Sequence, residues 1–317
     1  MKRTVFWLAT PVALAFSLAG CGGGGGSGAA GLASTPPPPL IPPTTLAVSI
    51  FPSPTPGEFA SVGVSTNDDL VARDDRLSTL SNADVDQPHI RYNSGGFYEI
   101  ELPGSSWDRL VHYKGLANPT SGNNYFQPAS RPQNLGYLLT SGPKSAGYSY
   151  SELAAWGNVN LTAEDGFGFV AFGTPTPAGA VPVTGSATYN GIVSGTADVL
   201  EPDFLVGGYF PTPVEGTVSL KFDFGAATLA GSTTLYLNMG MNPLSIGTFD
   251  FIETVFSSGS TTYSGKFDTD VGGKNFFLGR FTGPNATETI GAWALPFVYS
   301  GDHEAHQAIG AWIAKQH

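Results

Sequence analysis

The chain has 317 residues, with 14 basic and 25 acidic side chains and a formal net charge of −11. That sign excludes nucleic acid or an anionic lipid surface as the main binding partner. Its 42 glycines and 25 prolines make up about a fifth of the total, against a usual share nearer an eighth. The composition therefore predicts many turns and few long helices. A single cysteine, Cys21, leaves no intramolecular disulfide, so stability has to come from a packed core.

The chain opens with Lys2-Arg3, an apolar run from Val5 to Leu18, and then Leu18-Ala19-Gly20-Cys21. This is the basic, apolar and small-residue pattern of a secretory leader. The run is about 14 residues, short of the roughly 20 that a membrane-spanning helix needs. Leu-Ala-Gly-Cys resembles the lipobox of bacterial lipoproteins, and the resemblance implies cleavage before Cys21 and acylation on it. One acyl chain holds a protein to a membrane only marginally, and several supply a stable anchor. Gly22 in place of an aspartate implies the outer membrane as the destination. Loss of Lys2 and Arg3 with the leader takes the 14 basic residues to 12 against 25 acidic, a net charge of about −13. Residues 1–20 are thus expected to be a leader. Residues 21–57, rich in glycine and then proline, are expected to be a disordered tether of roughly 30–80 Å reach. Within the tether, the apolar Leu46–Phe51 is read equally as tether or as a segment packed on the domain.

Beyond the tether, period-two alternation divided by Gly, Pro, Asn and Ser clusters predicts strands. Residues 58–172 read as a β-rich unit, with strands at Phe97–Leu102, Trp107–Tyr113, Leu135–Thr140, Tyr148–Trp156 and Gly166–Phe172. Ala60–Val85, carrying Asp68-Asp69 and Asp74-Asp75, reads as a long surface excursion, and Asn118–Pro128 as a loop. Gly173–Val183 contains Pro175, Pro177 and Pro182 and reads as a boundary. Residues 173–317 alternate more strictly. In Thr217–Phe224 the even positions are apolar and the odd ones polar, which predicts one buried and one wet face. With Ser186–Val193, Thr196–Val199, Thr228–Leu229, Leu235–Leu237, Phe249–Phe256, Thr261–Asp268, Lys274–Thr282, Glu288–Phe297 and Gln307–Lys315, this makes roughly eight strands, the number and spacing of an up-and-down barrel or a sandwich. Glycines inside these strands are expected to supply kinks. Ile290-Gly291-Ala292-Trp293 recurs as Ile309-Gly310-Ala311-Trp312, which predicts paired packing of two neighbouring strands.

Within Asn275–Trp293, the residues Gly279, Phe281, Gly283, Pro284, Ala286, Glu288, Gly291 and Trp293 form a Gly-x-Phe-x-Gly-Pro-x-Ala-x-Glu core followed by a glycine and an aromatic. This segment resembles the signature of the transferrin-binding-protein-B-like surface lipoproteins. Gly185–Gly191 resembles the opening strand of that family's barrel, and Tyr148-Ser149-Tyr150 with Trp156 resembles its preceding handle. The resemblance runs from about residue 90 to the end and fits one lobe of the two-lobed receptors. It implies an all-β fold, a small eight-stranded antiparallel barrel preceded by a β-rich handle, displayed on the outer membrane by an acylated N-terminus. It also implies capture of a macromolecular, iron-related or haem-related ligand without catalysis, with an outer-membrane transporter as a further partner. The eight motif residues are read as architectural.

The chain contains no Gly-x-Ser-x-Gly elbow, no phosphate-binding glycine loop and no His-Glu-x-x-His helix, so neither an enzyme nor a resident cofactor is expected. His303 and His306, beside Asp302 and Glu304, are the candidates for a metal or haem contact, set against an exposed polar hairpin. Asp84, Asp86 and the aspartate pairs lack a calcium loop's spacing and read as solvated charge. Tyr125-Phe126 and Tyr209-Phe210 are the candidates for loop aromatics that anchor a ligand. The competing readings are a structural or adhesive envelope lipoprotein that uses the barrel as a spacer, and a membrane-embedded barrel.

Overall fold

The computed structural model describes residues 56–66, 84–85, 88–102, 105–112, 124–130, 137–140, 147–158, 166–203, 208–239 and 243–317. Cys21, the leader, the tether as far as residue 55, Asp86 and the aspartate pairs at 68–69 and 74–75 lie outside them. The protein is all-β. Its first ten strands are β1 (Gly57–Glu58), β2 (Ala60–Thr66), β3 (Asp84–Val85), β4 (His89–Tyr92), β5 (Tyr98–Glu101), β6 (Asp108–His112), β7 (Asn124–Pro128), β8 (Tyr137–Thr140), β9 (Ser151–Asn158) and β10 (Gly166–Gly173). The remaining eight are β11 (Ser186–Asp203), β12 (Gly208–Asp223), β13 (Thr228–Leu237), β14 (Leu244–Phe256), β15 (Thr262–Phe267), β16 (Phe276–Thr282), β17 (Glu288–Val298) and β18 (Ala305–Gln316). They form a closed antiparallel barrel in sequence order.

The handle is more complete than its sequence suggests. Its ten segments lie in one sheet of order β1-β4-β5-β6-β7-β8-β9-β10-β2-β3. Only Phe59 separates β1 from β2, and its N–H donates to the Ile90 carbonyl at 3.0 Å. The run from Gly57 to Thr66 is therefore one strand. It pairs with β4 and then β3 along one edge and with β10 along the other. The sheet thus returns on itself at this strand. Ala60–Thr66, expected as part of a surface excursion, is a buried central strand instead. Asn124–Pro128, expected as a loop, pairs with β6 and β8. The first of these segments hides its strand character for a physical reason. Ala60–Val64 is buried on both faces, so no wet face imposes polar residues at alternate positions.

The barrel closes where β18 pairs with β11 from Tyr189↔Gln316 to Ala197↔Ala308. In β12 the predicted alternation is the observed one. Val218, Leu220 and Phe222 point into the barrel, and Phe224 just beyond the strand is likewise buried, while Thr217, Lys221 and Asp223 are exposed. On this strand a polar outer face over an apolar interior is the inverse of the pattern in a membrane-embedded barrel, whose lipid face is apolar. The interior is a mesh of rings: Phe222 lies 5.6 Å from Tyr189, 5.2 Å from Phe256, 5.0 Å from Tyr263 and 4.8 Å from Phe281, centroid to centroid. Tilted and edge-on contacts at these distances are the favoured aromatic geometries. Beyond Ala197↔Ala308 and Val214↔Leu237, β11 and β12 pair, among the described residues, only with each other as far as Asp203↔Gly208. They project from the wall as a two-stranded arm.

Glycines in the barrel strands seat aromatic rings. Register places Trp293 opposite Gly310 and Gly291 opposite Trp312. A β-carbon on Gly291 would stand 2.4 Å from Trp312, and one on Gly310 would stand 2.6 Å from Trp293. The repeated Ile-Gly-Ala-Trp is therefore a reciprocal packing device, each indole lying over the other strand's glycine. The alternate positions of the same two repeats, Ile290, Ala292, Ile309 and Ala311, face outward into the core shared with the handle. Tyr263↔Gly279 and Gly265↔Phe277 repeat the arrangement on β15 and β16.

Candidate functional site

Side chains on β4, β5 and β6 alternate between two faces. Ile90, Tyr98, Ile100 and Leu110 point inward and are buried. His89, Arg91, Glu99, Arg109 and Val111 take the outer face, with Phe97 and Trp107 beside the ends of β5 and β6. Strand register then sets Glu58, Arg91, Glu99 and Arg109 in one row across β1, β4, β5 and β6, with alternating sign. Opposite charges directly across strands stabilise a sheet. Arg91 Nε donates to Glu99 Oε2 at 2.5 Å, and Asn93 Nδ2 donates to the same oxygen at 3.1 Å. The Arg91 guanidinium holds the Glu99 carboxyl below its ordinary range.

Aromatic rings flank the row. The Arg91 guanidinium lies 4.0 Å from the Trp107 ring centroid, and that of Arg109 lies 4.2 Å from Phe97. His89 sits 6.1 Å from Trp107 and pairs with Glu58 at 3.6 Å. Val111, at the edge of the face, is 47% exposed. The result is a surface of Arg, Trp and Phe on a sheet, the residue types that concentrate binding energy at protein interfaces. Stacking fixes these rotamers in advance, which lowers the ordering cost of association. The charges on this face are spent on one another and on rings, an arrangement suited to recognition. No reading of the sequence isolates this face, because β4 and its partner β1 are too short to show a period.

The second notable arrangement joins handle to barrel. Glu288 is 4% exposed, and its two carboxylate oxygens accept the N–H groups of Ser149 at 2.7 Å and Tyr150 at 3.0 Å. Burial pushes its carboxyl up, against these two bonds and Lys315. Around it, Ser151 Oγ lies 2.6 Å from Thr282 Oγ1, Thr176 Oγ1 donates to the Gly283 carbonyl at 2.9 Å, and Tyr148 OH donates to the Ile313 carbonyl at 3.2 Å. Gly283 turns the chain at φ 74° into the short 3-10 turn Pro284–Ala286. The Ala286 carbonyl accepts from Tyr189 OH at 2.6 Å. Phe281 and Trp293 lie in the barrel interior, and Gly279 and Gly291 seat rings there.

The candidate anchors fall elsewhere than expected. Phe126 is a core residue of β7, 6% exposed and 5.8 Å from the Tyr98 ring. It is removed from the surface because β7 is a strand and not a loop. Tyr125 is its neighbour on that strand, and Tyr209 and Phe210 lie on the projecting arm, paired with Pro202 and Glu201. The side chains of these three lie outside the described part. His306 does not converge with His303. Its Nδ1 lies 2.9 Å from Asp198 Oδ1 and its Nε2 lies 3.0 Å from Asp302 Oδ2, so carboxylates occupy both ring nitrogens that a metal would need. His303 turns the hairpin at φ 63°, with its N–H bonded to the Tyr299 carbonyl.

The chain matches no protein-family model and no curated protein. It is similar to several solved structures. A double mutant of transferrin binding protein B from Haemophilus parasuis Hp5 is 14% identical, with 81% of this chain and 45% of that one covered and a TM-score of 0.40. The isotype 1 transferrin binding protein B from serogroup B Neisseria meningitidis is 13% identical, with 81% and 43% covered and a TM-score of 0.44. A structure described as a surface lipoprotein is 14% identical, with 81% and 98% covered and a TM-score of 0.39. The chain thus spans under half the length of the two transferrin binding proteins.

Proposed function

We propose that this chain is a lipid-anchored outer-membrane binding protein that faces the exterior and captures a macromolecular, iron-related or haem-related ligand without turnover. The observation that carries the reading is the Glu58-Arg91-Glu99-Arg109 row with Trp107 and Phe97 stacked against it. Its geometry serves docking: a sheet face, anchors of the hot-spot types and internally neutralised charge. The Leu-Ala-Gly-Cys21 signature and the tether support display away from the membrane. An outer-membrane transporter is the natural recipient if the cargo is iron or haem.

The test is equilibrium binding of the mature ectodomain, immobilised through its tether, to a panel of purified iron-carrying proteins and to haem. Saturable binding to one of them is expected. The W107A/R109A double variant should weaken it at least 30-fold, since hot-spot truncations cost about 2 kcal/mol or more, while the melting temperature changes little. Absence of binding across the panel would favour the structural or adhesive reading. Binding that ignores the double variant would move the site off this face.

A further inference from the structure

At the barrel end opposite Glu288, one imidazole bridges two carboxylates from different elements. Asp198 lies on β11 at the root of the projecting arm and is 5% exposed. Its Oδ1 accepts the Gln307 N–H at 2.9 Å and faces His306 Nδ1. Asp302 lies in the β17–β18 hairpin, with a side chain 43% exposed. Its Oδ1 accepts the Glu304 N–H at 2.8 Å, and its Oδ2 faces His306 Nε2. The rings of Phe297 and Tyr299 stand 5.9 and 5.8 Å from the imidazole. Tyr299 N–H donates to the Glu304 carbonyl at 3.0 Å, which closes the hairpin.

We infer that His306 is a pH-operated latch that ties the β17–β18 hairpin to the root of the β11–β12 arm. Only the imidazolium donates at both ring nitrogens, whereas the neutral ring donates at one and presents a lone pair at the other. Loss of the proton therefore leaves one nitrogen facing a carboxylate with no hydrogen between them. Asp198 is buried and fixed by Gln307, so the neutral ring keeps its proton on Nδ1 and the contact to the half-exposed Asp302 is the one that breaks. Glu304 N–H, and then His306, hold the Asp302 carboxyl below its ordinary range, so Asp302 stays ionised throughout. The sign follows: the latch is closed while the ring carries both protons and opens as rising pH removes one. Among the described residues, the titratable groups around the ring are Asp198 from β11, Asp302 and Glu304 from the hairpin, and Tyr299 just past β17.

Two measurements on the mature ectodomain test this. In two-bond nitrogen–proton correlation spectra, both His306 nitrogens should be protonated at pH 5.5 and only Nδ1 at pH 8. Amide protection factors at residues 299–307, corrected for intrinsic exchange, should fall by about two- to fivefold over the same interval, the range of a partly exposed ion pair. In the H306N variant they should be flat. A neutral ring at pH 5.5, or pH-independent protection in the wild type, or a pH response that survives in H306N, would each overturn the latch. The spectra need no substitution, so an unfolded variant leaves the test intact.

Discussion

Trp312→Ala lowers the unfolding free energy by about 3–5 kcal/mol, the usual cost of emptying a buried indole site. For a folded region of this size the melting temperature falls by on the order of 10 °C. Trp312 is fully buried and packs 5.7 Å from Phe277 and 6.2 Å from Phe251, so its removal leaves a void lined by rings. The reciprocal substitution gives the sharper result. Gly291→Ala puts a methyl group 2.4 Å from the Trp312 indole and costs about 2–3 kcal/mol by overpacking. In the W312A background the clash is gone, and the same change costs less than about 1 kcal/mol. The missing increment is the coupling energy of a double-mutant cycle, of the size expected for residues in contact. Chemical denaturation of the four proteins measures it, and additive losses would show that the glycine serves only backbone conformation.

Glu288→Ala has the second large effect. It leaves the N–H groups of Ser149 and Tyr150 without their acceptor inside a buried joint. Hydrogen bonds to a charged partner contribute about 1.5–3 kcal/mol each, so a loss of about 3 kcal/mol is expected. Hydrogen exchange should rise first at Tyr148–Ser151, ahead of the barrel strands. The pH dependence has a definite sign. Burial raises the Glu288 carboxyl above its reference of 4.5, so the folded state binds this proton more tightly than the unfolded chain. That contribution is fully present below the reference value and is lost as pH rises through the folded value. Glu288→Gln removes this component, and the stability difference between wild type and E288Q should narrow as pH increases across that window. A difference that grows with pH would show that the two N–H bonds outweigh burial and lower the carboxyl instead.

The barrel was open to sequence reading where a strand has one packed and one wet face, as Val218, Leu220, Phe222 and Phe224 show against Thr217, Lys221 and Asp223, whereas β17 and β18 are buried on both faces and were marked by their aromatic and glycine pattern. The Ile-Gly-Ala-Trp echo announced paired strands, yet its meaning waited on register, since only antiparallel pairing of β17 with β18 sets each glycine opposite the other tryptophan. The handle was legible in part. Strands at 98–101, 108–112 and 151–158 fall within or beside the expected segments. β2 was hidden by burial on both faces, and β4 by its brevity. The candidate face was hidden with β4, because the row of Glu58, Arg91, Glu99 and Arg109 is assembled from four strands and has no counterpart in linear spacing. Phe126 shows the converse error: an aromatic in an Asn- and Gly-rich stretch reads as a loop anchor, although pairing on both sides places it in the core.

The most direct measurement is protease shaving of intact cells, with an antibody to the barrel and a periplasmic protein as integrity control. Loss of the barrel signal while the control stays whole is the predicted result, because an acylated Cys21 and a long tether would present the Arg–aromatic face to the exterior. Protection of the barrel until the outer membrane is broken would contradict surface capture and confine any binding to the periplasm.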